Sequence, residues 1–95
     1  MAGGIDALLA LQGVDDASER RRRSVARGRN ALDVLEDLKL AVLSGTLDSS
    51  ALGRLKAAVV GLNEPSGDRN LDAVLGEIEL RVEVELAKID SKPAR

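Results

Sequence analysis

The densest chemistry in this 95-residue sequence is six arginines within ten positions: Arg20, Arg21, Arg22, Arg23, Arg27 and Arg29. A guanidinium is a planar fork of N–H donors that pairs bidentately with phosphate or carboxylate. The cluster therefore suits an acidic protein surface or a nucleic acid. On a helix each residue advances by about 100°, which spreads the four consecutive arginines around the circumference and leaves Arg20, Arg23 and Arg27 on one face. The single basic stripe of a DNA reader is poorly formed. A solvated helix end, an acidic partner and a phosphate-bearing ligand all stay open.

Carboxylates are the other plentiful group. Glu83 and Glu85 could be taken for a hydrolase couple, but on a helix they point about 200° apart and face no common substrate. Glu79 and Glu83 share a face that reads as solvated charge. The sequence has no His and no Cys, so Ser24, Ser44 and Ser49 lack an imidazole to activate them, and structural zinc and disulfides are excluded. Its glycines form neither a phosphate-cradling loop nor a dinucleotide fingerprint. Without Phe, Tyr or Trp there is no platform on which bases could stack. The expectation is a non-enzymatic protein with no cofactor and no metal.

The elements that must position these groups come from the aliphatic pattern. Sixteen Leu, nine Val and three Ile put the chain above the roughly one-fifth aliphatic level below which sequences stay unfolded. The length suits one domain. The net charge of -2 hides an asymmetry: residues 15–30 hold six Arg against three acids, and residues 68–90 hold seven acids against three bases. No apolar run reaches the roughly 18 residues of a membrane span, and Met1 to Gly4 carries no basic signal region. A cytoplasmic location is the expectation.

Residues 1–13 read as a flexible lead followed by a short apolar docking segment, Ile5, Leu8, Leu9 and Leu11, ended by a turn at Gly13. A three-helix domain is expected over 14–92. Its first helix, about 16–44, begins where Asp15, Asp16 and Glu19 complement the helix dipole, carries Val25, Ala31, Leu35, Leu38 and Val42 on one side, and ends at Gly45. The second, about 50–62, follows the turn formers and N-caps of Thr46 to Ser50 and carries Leu52, Leu55, Val59 and Leu62. Residues 63–68, with Pro65 and Gly67, break the chain.

The third element, about 70–90, matches two templates. Ile78, Leu80, Val82, Val84 and Leu86 alternate with charges as in a strand, while Leu71, Leu75, Ile78, Val82, Leu86 and Ile89 follow helical spacing. Nothing else in the chain alternates, and a lone strand would leave its backbone groups unpaired. A helix is predicted, and with it an all-α fold, a small antiparallel three-helix bundle. Leu80 and Val84 then lie opposite the core stripe, and Leu40 stands on the polar side of the first helix. These spare aliphatics await the docking segment, a second copy in a homodimer, or a partner, or are ordinary scattered exposed residues.

The segments Ile5 to Gln12, Asp16 to Arg23, Leu32 to Gly45 and Leu71 to Lys88, in this order and spacing, resemble the FliX class of bacterial flagellar assembly regulators. The resemblance spans about residues 5–90, and residues 46–70 are its least distinctive part. Where the family has a longer polar stretch before the apolar segment, this sequence has Met1 to Gly4. The resemblance implies a cytoplasmic regulator, peripheral at the flagellar basal body, that couples flagellar assembly to transcription by binding an enhancer-binding activator of the FlbD type. It implies no direct nucleic-acid contact. On physical grounds the partner-binding residues are Arg20, Arg23, Arg27, Leu40, Leu80 and Val84. The alternatives are a basic-patch module associated with nucleic acid and a self-associating structural adaptor of the flagellar base.

Overall fold

The computed structural model describes the backbone of residues 3–90 and the side chains of residues 16–89. It contains three helices, α1 (Gly3–Ser44), α2 (Ser49–Val59) and α3 (Arg69–Asp90), and no strand among the described residues. The chain runs up, down and up. Arg54 on α2 reaches Asp37 on α1 at 3.5 Å, and Arg27 lower on α1 meets Glu64 just past α2, so α2 is antiparallel to α1. Arg21 meets Asp68 where α3 begins, and Gly28 faces Leu75 and Ile78 one level up. Hence α3 runs parallel to α1.

The core is aliphatic and narrow: Ala31 and Leu38 from α1, Ala51, Leu55 and Ala58 from α2, Leu62 after it, and Leu75, Ile78 and Val82 from α3. The helical alternative for the third element is the one realised, with Leu75, Ile78 and Val82 buried at steps of three and four. On α1 the buried face is lined by small residues, Ser24, Gly28 and Ala31, which lets α3 approach closely. A methyl group at Gly28 would come 2.7 Å from Leu75 Cδ2.

Three differences from the sequence reading have local causes. Gly13 does not end a turn, because α1 is continuous from Gly3; a single glycine costs a helix only about 1 kcal/mol relative to Ala. The backbone of the expected docking segment is therefore part of α1, and the side chains of Ile5, Leu8, Leu9 and Leu11 lie outside the described residues. Val42, expected in the core, is 58% exposed. Helix α2 ends at Val59 rather than 62, yet Leu62 is buried from the turn that follows. Residues 91 and 92 of the expected domain also fall outside the description.

The helix ends follow the capping chemistry. Gly45, with φ of 69°, closes α1 with bonds from its N–H to Val42 O and from the Thr46 N–H to Ala41 O, the Schellman arrangement. Asp48 caps α2 by accepting from the backbone N–H groups of Ser50 and Ala51. Asp68 does the same for α3, accepting from Asn70 and Leu71.

Candidate functional site: the arginine face and the open groove between the outer helices

The arginines do not form one free patch. Arg27 makes a 2.6 Å ion pair with Glu64, and its side chain lies across Gly61, where an added Cβ would meet Arg27 Nε at 3.0 Å. Arg20 lies across Gly67 in the same way, 3.1 Å from where a Cβ would stand. Both glycines have positive φ, 81° and 90°, a region that L-residues with a side chain rarely adopt. Two of the three arginines expected on one face thus hold the connection between α2 and α3 in place. Arg21 adds its pair with Asp68 and Arg22 pairs with Glu19. Arg23 and Arg29 are exposed and make no ion pair among the described residues.

This connection also shapes the electrostatics. Ser66 is buried; its N–H donates to Asp72 Oδ1 at 2.9 Å, and its hydroxyl donates to Asp68 O and accepts from the Asp68 N–H. The backbone N–H of Leu71 holds the Asp68 carboxyl below its ordinary value, with the Arg21 guanidinium assisting. Asp48 is lowered likewise, first by the Ser50 hydroxyl and then by the Ala51 N–H. Both shifts belong to helix caps rather than to acid–base catalysis. Among the described residues no cluster of three or more carboxylates is placed to hold a metal ion.

The apolar candidates divide between two helices. Leu40 is 53% exposed on α1, and Leu80 and Val84 are 62% and 42% exposed on α3, one turn apart. Between the helices runs an open groove of about 540 Å³, walled by Leu32, Leu35, Val42 and Leu43 of α1, with Glu36 and Lys39 among them, and by Arg81 and Glu85 of α3. Arg81 and Glu85 pair at 3.2 Å. The structure does not bring Leu40, Leu80 and Val84 together at this groove, and the exposed Leu32, Val42 and Leu43 were missed in the sequence. A signal for them was available: five Leu between residues 32 and 43 exceed what one stripe can bury.

No described helix is long and apolar enough to cross a membrane. What remains is a slender helical domain with a clasped loop, a set of outward arginines and an aliphatic groove. A family profile described as FliX, class II flagellar assembly regulator, matches residues 1–90. The chain is 41% identical over 74 residues to the flagellar assembly protein FliX of Caulobacter vibrioides, covering 78% of this chain and 51% of that protein. It therefore spans about half the length of that relative. No solved structure matches it. The chain belongs to the FliX family of class II flagellar assembly regulators.

Proposed function

We propose that this chain is a non-catalytic, cytoplasmic docking protein that couples flagellar assembly to flagellar gene transcription by binding an enhancer-binding activator of the FlbD type. The observation that carries the reading is the open groove between α1 and α3, with exposed aliphatic residues on its α1 wall; Leu80 and Val84 add exposed aliphatic surface elsewhere on α3. Burial of such surface contributes about 25 cal/mol per Å², and a binding protein without aromatic residues must draw its affinity from aliphatic area. Arg23 supplies charge for an acidic partner, while Arg20 and Arg27 act on the loop and support binding indirectly. Family membership supports the flagellar setting, and the groove supports the mode of contact.

The test is co-purification of the chain with the activator. Leu32→Asp with Leu43→Asp, and separately Leu80→Asp with Val84→Asp, place charge on exposed positions, so helicity should survive while capture of the activator is lost. Undiminished capture by both variants would remove the groove and the outer side of α3 from the reading. Capture that instead depends on added DNA and falls steeply with salt would favour the nucleic-acid alternative.

A further inference from the structure

Toward the N-terminus of α1 the α2–α3 connection reaches no further than Arg20 and Arg21, through Gly67 and Asp68. Residues 3–19 of α1 continue past that level as about 25 Å of helix at 1.5 Å per residue, in a molecule 73 Å long and 19 × 18 Å across. No other described element runs beside this overhang. A lone helix of that length is marginal in water.

The overhang and the stretch that follows it have opposite charge. Residues 3–19 contain Asp6, Asp15, Asp16 and Glu19 and no base; residues 20–29 contain six Arg and no acid. The sign reverses between Glu19 and Arg20 and returns to acid at Asp33 and Glu36. A second α1 laid antiparallel about the Glu19–Arg20 point sets Asp15, Asp16 and Glu19 of each copy against the arginines of the other, twice over and by one two-fold operation, with Asp6 opposite Asp33 at the far end. A parallel pair would set like against like. The receiving surface is also present: Arg22, Ala26, Arg29 and Asp33, at successive turns of α1, are all exposed, on a side that neither α2 nor α3 covers. A shallow open depression of about 690 Å³ follows that side between residues 19 and 33, most of the stretch an antiparallel overhang would reach.

From this self-complementarity we infer that the chain forms a two-fold symmetric homodimer in which residues 3–19 of each copy lie antiparallel along residues 20–36 of the other. The interface uses the outer face of α1 and leaves the α3 wall of the groove free; it shares Arg23 with the activator-binding reading, and sedimentation of the chain alone tests it without the activator.

Sedimentation equilibrium of the full chain tests it. The expected mass is twice the 10.0 kDa of one chain, falling toward one as salt is raised, because the pairing is electrostatic. R22E/R23E/R29E and D16K/E19K should each weaken self-association by on the order of tenfold or more with unchanged helicity. An equimolar mixture of the two should restore the dimer. The chain has no Cys, which permits a geometric check: Ser18→Cys lies beside the two-fold and should crosslink to itself, whereas Ala26→Cys, separated from its copy by about 20 Å along the axis, should not. A one-chain mass at all concentrations overturns the inference, and so does self-crosslinking of both cysteine variants, which marks a parallel pair.

Discussion

Arg27 lies across Gly61 and ends 2.6 Å from Glu64, so one long side chain on α1 both covers a left-handed backbone position and holds the acid three residues beyond it. The ion pair is partly exposed, and such pairs contribute only about 0–1 kcal/mol. The glycine matters more. Gly61→Ala forces a Cβ into φ of 81° and against the Arg27 side chain, and should cost about 1–2 kcal/mol. Arg27→Met, which keeps the cover and drops the charge, should cost less. Urea titration of the two variants, followed by circular dichroism, ranks them, and a larger loss for Arg27→Met would mean that charge rather than cover holds the loop.

Glycines within the helices should respond in opposite directions. Gly53 has nothing within 4 Å of an added Cβ, so Gly53→Ala should stabilise by about 0.5–1 kcal/mol through helix propensity alone. Gly28 faces Leu75, which is only 2% exposed, and Gly28→Leu should cost about 1–3 kcal/mol by overpacking. Thermal melts of both variants provide the comparison, and a neutral Gly28→Leu would show that α3 can move away from α1 freely.

Aliphatic residues on the two sides of the helices should separate just as clearly. Leu55 is fully buried, and Leu55→Ala should cost about 2–5 kcal/mol, a large share of the roughly 5–15 kcal/mol available to a small domain. Leu80 is 62% exposed, and Leu80→Ala should change stability by no more than about 0.5 kcal/mol. If Leu80→Ala destabilises as Leu55→Ala does, Leu80 belongs to a core shared with another chain.

The fold was legible where large aliphatics repeat. Ile78, Val82 and Leu75 specify α3 as a helix even though Leu80 and Val84 imitate a strand, because the imitation comes from exposed apolar residues interleaved with buried ones. The face of α1 was harder to read: its contact with α3 runs over Ser24, Gly28 and Ala31, small residues that a search for Leu and Val passes over. The arginine cluster was legible as chemistry but not as architecture. Nothing local to Arg20 or Arg27 announces that Gly67 and Gly61, some forty residues away, will fold beneath them. Gly13 misled because propensity is a weak local bias, which the rest of a 42-residue helix outweighs.

Acid should weaken this bundle through its caps. The Asp68 carboxyl titrates below its ordinary 3.8 because the Leu71 N–H bonds its charged form, and the Asp48 carboxyl does so chiefly because of the Ser50 hydroxyl. Each group thus takes up its proton at higher pH in the unfolded chain than in the folded one. Their contribution is whole above the ordinary value of 3.8 and is lost as pH falls through the lowered folded values. Melting temperatures followed from about pH 5 to about pH 2 should therefore hold steady at first and then decline below the ordinary carboxylate range. In Asp48→Asn with Asp68→Asn the amide oxygens can still accept the backbone bonds but no longer titrate, so the double variant should start slightly lower and decline less steeply. A slope equal to that of the parent chain would assign the acid sensitivity to other carboxylates.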